Sequence, residues 1–383
     1  MAIRRIGVLT GGGDVPGLNA CIKAVTVNGT ALGWEVIGIR SGYRGLLDYD
    51  LSDPLGDAKH LIPLTPSNVR TIDRMGGTIL HTTRTSPDKL SASELPTQLK
   101  GQVQPGVDGR FDCTAQVLRT LEALRVDALI ALGGDGTLNF SARLQREGVA
   151  IMLVPKTMDN DVFGTDYCIG FSTAVTRSVE LVNALRTTAG SHERIAVIEL
   201  FGRNSGETAL VTGHLAGADR VLIAEVPFDM SSVSALLAKD RASNPSNYAM
   251  VVVSEGARMT SDSGSLSTSG IRELGGIGAI VGNEISRRTG IATITQNLGY
   301  LMRSGAPDAL DLMVAKSYGA MAVQLLAEGQ HGLMMTVREG KYSAIRAAIC
   351  TQGKRRVDVD AVYDRNSYRP SITSISGKPM FLS

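Results

Sequence analysis

The sequence predicts an α/β protein built as two lobes, each a parallel sheet covered by helices on both faces. Three observations carry that prediction. Short β-rich apolar runs recur along the chain, each followed by a Gly-rich or polar turn and then a helical pattern, the alternation that builds parallel sheets. One group of these units precedes Ser172 and a second follows Arg194. With 383 residues, 43% of them hydrophobic and 20% charged, the chain can bury two ordinary globular cores.

Taken in order, residues 6–10 form the first apolar run, leading through Gly11, Gly12, Gly13 and Asp14 into a predicted helix over 18–32. A second strand is predicted over 34–40. Residues 127–132 lead into Gly133, Gly134, Asp135, Gly136 and Thr137, then a helix ending near Gly148. Residues 149–154 lead into a turn over 155–161, and further strands are predicted over 195–200, 221–225 and 249–254. Two stretches break the rhythm. Residues 86–109, rich in Ser, Pro, Gly and Gln, read as an insertion, and 259–269 as a flexible surface loop. The expected active site is the cleft between the lobes, lined by turns at the carboxyl ends of the strands.

Bulk chemistry removes several function classes. The 39 basic and 37 acidic side chains leave a net charge of +2, so no global field favours nucleic acid or an anionic membrane as partner. Any bound anion must be held locally. Cys21, Cys113, Cys168 and Cys350 are far apart and form no C-x-x-C pair, which points to reduced thiols in the cytoplasm rather than a zinc site or disulfide framework. Residues 3–9 contain Arg4 and Arg5 and are too short for a secretory core. No apolar run approaches the ~20 residues that span a bilayer.

Three turns carry the chemistry. Residues 11–17 offer backbone N–H groups at a helix N-terminus, where phosphate oxygens bind, although glycines also serve simple tight turns. The turn over 133–137 adds a carboxylate among glycines. Asp135 beside phosphates calls for a cation such as Mg²⁺ between them; otherwise it caps the helix that follows. In the turn over 155–161, Asp159 and Asp161 flank Asn160 just beyond an apolar strand. One carboxylate can take the proton of an attacking sugar hydroxyl, and the other can hold Mg²⁺ against developing phosphoryl charge. Caps or solvated acids explain that pair less well beside Lys156 and Thr157.

These turns resemble the phosphofructokinase family: Gly-Gly-Asp-Val-Pro-Gly (12–17), Gly-Gly-Asp-Gly-Thr (133–137), Pro-Lys-Thr-Met-Asp-Asn-Asp (155–161) and Gly-Thr-Asp-Tyr-Cys-Ile-Gly-Phe (164–171). The likeness continues in order through Ser-His-Glu-Arg (191–194), Phe-Gly-Arg-Asn-Ser-Gly (201–206), Ser-Glu-Gly (254–256) and Gly-Tyr-Leu-Met-Arg-Ser-Gly (299–305). It covers most of residues 3–325. The resemblance implies two Rossmann-like three-layer lobes of the phosphofructokinase type. Residues 1–170, joined by 304–350, would bind the phosphoryl donor; residues 171–303, joined by the tail 351–383, would bind fructose 6-phosphate. The chain would cross back near Arg303, sending 306–327 to the first lobe.

Residue by residue, the resemblance implies that Asp159 is the base and that Asp161 and Asp135 organise Mg²⁺. Thr157 and Arg84 would meet the transferring phosphoryl group, and Gly13 would offer its N–H to the donor phosphates. Gly12, Tyr43, Gly134, Gly136, Thr137 and Lys156 would complete the donor site. Arg194, Arg303 and Tyr300 would hold the sugar 6-phosphate, arginine being suited by its planar, permanently charged fork. Phe201, Gly202, Arg203 and Glu255 would line the fructose. Transfer would be in line, with no phospho-enzyme, and the assembly a homodimer or homotetramer.

The sequence also departs from the family. Ile294 stands where many bacterial members carry a phosphate-binding arginine, for which Arg287 or Arg288 could substitute. Lys23, Arg186 and Glu225 match part of an effector site, while Val27 and Ser246 replace expected basic residues, so effector regulation of that kind is not expected. For the donor, Gly136 leaves room for the α-phosphate of ATP, where pyrophosphate users usually carry Asp. Lys156 is the residue pyrophosphate users share. The steric argument favours ATP, with pyrophosphate as the alternative.

Rival readings account for less. A dinucleotide-binding oxidoreductase leaves two acidic turns unexplained, and an NAD kinase-like enzyme shares only 133–137. A catalytically dead sugar-phosphate sensor has no need of Asp159.

Overall fold

The computed structural model describes residues 3–52, 59–260 and 276–371. The chain divides into two compact units, each built from three segments. Unit one is Met1–Thr157, Val162–Gly170 and Ser304–Gly353; unit two is Met158–Asp161, Phe171–Arg303 and Lys354–Ser383. Unit one begins with strands β1 (Arg5–Gly11), β2 (Glu35–Ile39), β3 (Leu61–Leu64), β4 (Ala128–Gly133) and β5 (Ile151–Pro155). Unit two contributes β6 (Ile195–Leu200), β7 (Arg220–Leu222), β8 (Phe228–Asp229), β9 (Ala249–Ser254), β10 (Met259–Thr260) and β11 (Thr293–Asn297). The chain then returns to unit one for β12 (Leu333–Arg338) and β13 (Lys341–Arg346).

The sheet of unit one runs in the order β13-β12-β5-β4-β1-β2-β3. Its middle strands are parallel, and the edge pairs β2–β3 and β12–β13 are antiparallel. Strand β4 is buried along its whole length, as a parallel strand covered on both faces must be. Register is what places the chemistry: Gly11 pairs with Gly133, and Gly133 with Pro155. The three turns that follow β1, β4 and β5 therefore leave the sheet side by side. Helices α1 (Leu18–Ala31), α2 (Tyr43–Asp48), α3 (Thr114–Ala123) and α4 (Asp135–Arg146) belong to this unit. The stretch read as an insertion is docked on the same core. Leu90 bridges to Phe111, and Leu90, Leu95 and Leu99 are buried.

Unit two holds the four-stranded, all-parallel sheet β11-β6-β9-β7. It carries helices α5 (Phe171–Ser191), α6 (Glu207–Leu215), α7 (Met230–Ser243) and α8 (Ile277–Thr289). Glu199, buried in β6, accepts the N–H groups of Gly276 and Gly278 at 2.9 and 2.8 Å and so ties the start of α8 to the sheet. The strand read over 221–225 starts one residue earlier and stops at Leu222. Glu225 lies beyond the strand, its carboxylate accepting the backbone N–H groups of Gly206 and Val357, each at 3.0 Å. Of the loop read over 259–269, Met259–Thr260 pairs with Phe228–Asp229 and the rest lies outside the described residues.

The remaining helices are α9 (Ala309–Ala327), which packs on α1 in unit one, and the short α10 (Val359–Val362) in the tail. Beyond α10 the tail forms the strand pair β14 (Tyr363–Asp364) and β15 (Arg369–Pro370) beside β7. There the Val221 N–H donates to the Tyr368 carbonyl at 2.8 Å and the Tyr363 hydroxyl to the Val221 carbonyl at 2.6 Å. Among the described residues no helix is long and apolar enough to cross a membrane. The four cysteines are buried and form no disulfide.

Candidate active site

In unit one the three turns interlock through backbone. Gly12, at φ +82°, donates its N–H to the Thr83 carbonyl at 2.8 Å, and the Thr82 hydroxyl donates to the Gly12 carbonyl at 2.7 Å. The strap carrying exposed Arg84 is thereby fixed against the first turn. The Lys156 ammonium donates to the Gly13 carbonyl at 2.5 Å and is almost wholly buried, at 2% exposure. A β-carbon on Gly12 would lie 3.3 Å from that ammonium and 4.0 Å from the Gly134 nitrogen, so turns one, two and three meet here. The Lys156 N–H closes the set by donating to the Gly133 carbonyl at 3.0 Å.

Glycine is required at Gly133 for packing: a β-carbon there would stand 2.5 Å from Thr137 Cγ2, and one at Gly11 would meet the same side chain at 2.9 Å. Thr137 thus fills the notch between the ends of β1 and β4. Gly136 differs, since nothing lies within 4 Å of its missing β-carbon. Asp135, half-buried, opens α4 directly after Gly134. Thr157, half-buried, donates its N–H to the Ile169 carbonyl at 3.1 Å. The Tyr43 side chain, expected on the donor side, is a core element. It is 2% exposed, its ring is edge-on to Phe140 at 4.7 Å, and its hydroxyl meets Ser141 Oγ at 2.5 Å.

Unit two holds the acidic half of the third turn. Burial, then the carboxylates of Asp161 and Glu255, push the Asp159 carboxyl up to about 7, against the lowering effect of the Arg203 N–H and guanidinium. A carboxyl in that range can accept a proton near neutrality. Asp161 is buried, with the Asn204 amide donating to its Oδ2 at 3.1 Å and the Lys354 ammonium 3.6 Å away. Glu255 sits 3.8 Å from the Arg203 guanidinium. Gly202, at φ +140°, accepts the Ser254 hydroxyl at 2.5 Å and the Gly256 N–H at 3.1 Å on its carbonyl.

Arg303 lies against two aromatic faces, 4.5 Å from the Tyr300 ring centre and 5.8 Å from that of Phe201, which itself stacks edge-on to Tyr300 at 5.7 Å. Those faces hold the guanidinium by cation–π attraction. Arg194, half-buried, precedes β6, its N–H donated to the Ala189 carbonyl at 3.0 Å. Ile294 is a strand residue paired with Ala196, while Arg287 and Arg288 both hydrogen-bond Glu284. Lys23 bonds the Arg70 carbonyl and Asp73, and Arg186 bonds Tyr248 and the Ala216 and Gly217 carbonyls.

Sequence reading missed Asn204, Glu207, Lys354 and Arg355. Asn204 lay inside a recognised motif, and a basic run (354–356) was the visible signal for the last two.

The chain belongs to the phosphofructokinase family, whose model matches residues 5–326. Among its relatives is the ATP-dependent 6-phosphofructokinase of Chloroflexus aggregans, 38% identical over 338 residues, covering 88% of this chain and 87% of that one. The pyrophosphate–fructose 6-phosphate 1-phosphotransferase of Amycolatopsis methanolica is also 38% identical, over 353 residues, covering 91% of this chain and 94% of its own. The structure of phosphofructokinase from Saccharomyces cerevisiae superimposes with a TM-score of 0.74 at 26% identity, over 91% of this chain and 45% of that one.

Proposed function

We propose that this chain is a 6-phosphofructokinase, moving the γ-phosphoryl group of MgATP to the 1-hydroxyl of fructose 6-phosphate to give fructose 1,6-bisphosphate. The observation that carries the reading is the register that sets the turns after β1, β4 and β5 side by side, with Asp159 in the third turn, its carboxyl raised by burial and the neighbouring Asp161 and Glu255. That carboxyl would take the hydroxyl proton as the oxygen attacks phosphorus in line. Thr157 and Arg84 would meet the transferring group, and the Gly13 N–H the donor phosphates, with Gly12, Gly134 and Thr137 shaping the cradle. On the acceptor side Arg194, Arg303 and Tyr300 would hold the 6-phosphate. Phe201, Gly202, Arg203 and Glu255 would hold the sugar. The Tyr43 side chain would contribute only by packing beneath the donor site.

Asp161 and Asp135 would hold Mg²⁺. The chemistry of the donor set fits this ion, since both side chains are hard oxygen donors, one opening α4 and the other buried in the third turn. Mg²⁺ needs only one or two carboxylates, the rest of its shell coming from phosphates and water. When bound, it would neutralise charge on the phosphates.

For the donor, open space at Gly136 supports ATP. Lys156, the residue that pyrophosphate users share, supports pyrophosphate as the second reading, and relatives with either donor are equally similar. A coupled assay separates them. Turnover with ATP is expected, and strong activity with pyrophosphate alone overturns that choice. Gly136→Asp should leave the melting temperature unchanged while lowering kcat/KM for ATP by about 100-fold or more, the cost of placing like charges together. Buried, unlinked thiols fit a cytoplasmic enzyme. A homodimer or homotetramer is the assembly to look for by light scattering.

A further inference from the structure

We propose that the buried Arg355–Glu207 pair is a positioning device that holds the Asp159-Asn160-Asp161 turn in its working shape, so that the tail sets turnover rather than substrate binding. The inference rests on the role given to that turn above. Asn160 is wholly buried and adopts φ +53°, a left-handed conformation that asparagine tolerates better than most residues and that here is held by partners on both sides.

The restraints come from far along the chain. The Arg355 guanidinium donates to the Asn160 carbonyl at 3.0 Å, and the Arg355 N–H donates to the Asp161 carbonyl, also at 3.0 Å. The same guanidinium binds both oxygens of Glu207, and the second of these accepts the Asn160 amide at 3.2 Å. The pair is buried, with side-chain exposures of 9% for Arg355 and 1% for Glu207.

Both partners are themselves anchored. Glu207 opens α6, and the next residue, Thr208, donates its hydroxyl to the Met158 carbonyl at 2.8 Å. On the tail side, the Val357 N–H is held by Glu225, which also grips Gly206. The turn is thus clamped by α6 and by a tail segment beyond residue 326, where the family match ends. A misplacement of about 1 Å in such a turn can lower turnover about 100-fold.

The test compares the wild type with Arg355→Lys, Arg355→Ala and the charge-free double variant Glu207→Gln/Arg355→Gln. The double variant avoids leaving a buried charge unpaired. Expected are a fall in kcat of about 10- to 100-fold for Arg355→Ala and the double variant, and KM values for both substrates within about threefold. Arg355→Lys should be intermediate, and free guanidinium should partly restore Arg355→Ala. Leu237→Ala, in the core of unit two, serves as a control for lost stability and should keep its kcat. Hydrogen exchange over residues 156–163 reads the turn directly and needs no activity; it should quicken about tenfold or more in the double variant.

Unchanged kcat in Arg355→Ala, an equal kcat loss in Leu237→Ala, or unchanged exchange over 156–163 overturns the proposal, as does failure of every variant to fold. Inactivity of the wild type with both donors sinks the kinase reading instead, while the exchange measurement still decides whether Arg355 fixes the turn.

Discussion

At the scale of single residues, the site is a set of small choices with large consequences. Asp159 is the clearest. Its carboxyl is pushed toward neutrality by burial and two acidic neighbours, which suits the base role proposed above. Asp159→Asn should therefore lower kcat by roughly 10²- to 10⁴-fold while calorimetry finds fructose 6-phosphate bound as before; equal loss of both would return the sensor reading to the field. Gly133 tests packing rather than chemistry. A methyl group there collides with Thr137 at the junction of two turns, so Gly133→Ala should destabilise by about 1–3 kcal/mol, read from urea unfolding. Both positions were visible in the sequence as motif members. That Gly133 is glycine for Thr137's sake was not, because the reason is a contact and not a spacing.

At the scale of elements, α8 shows how local pairing behaves. Glu284 accepts hydrogen bonds from Arg287 and Arg288, three and four residues on. The Arg287 hydrogen bond, followed by that of Arg288 and against a burial penalty, lowers the Glu284 carboxyl from 4.5 to about 2. A group made more acidic by folding stabilises the fold above its ordinary pKa and loses that contribution as pH falls through the folded value. The pair is solvent-facing, so its contribution stays at or below about 1 kcal/mol. Thermal melts of wild type and Glu284→Gln should differ by that amount at pH 7 and converge as the pH drops from 4.5 toward 2. A gap that widens on acidification would contradict the assignment. Sequence reading named no helix here and offered Arg287 and Arg288 only as substitutes for a phosphate-binding arginine; their engagement by Glu284 emerges only once the helix brings the three side chains onto one face.

At the scale of the whole molecule, each unit is closed by chain that arrives late. In unit two, Arg220 forms a two-pronged pair with Asp240 at 2.6 and 2.7 Å and also donates to the Ser367 carbonyl in the tail, while Arg369 reaches Asp240 at 3.1 Å. Removing one partner strands a buried charge, so Asp240→Asn should cost about 3–5 kcal/mol. Chemical unfolding would measure the loss, which should exceed that of the solvent-facing Glu284→Gln several-fold. Unit one is closed likewise by α9 and the hairpin β12–β13, a hairpin that the strand patterns before residue 260 gave no reason to expect.

The sequence by itself determined the alternation of strand, turn and helix, and which turns bear glycine and carboxylate, since periodicity and backbone freedom are properties of a few adjacent residues. Tertiary structure decided the register that sets Gly11, Gly133 and Pro155 in one row, the left-handed Asn160, and the meeting of Arg355 with Glu207 across a separation of 148 residues. Those depend on which distant groups remain buried together, and a buried charge persists only where a partner arrives to hold it.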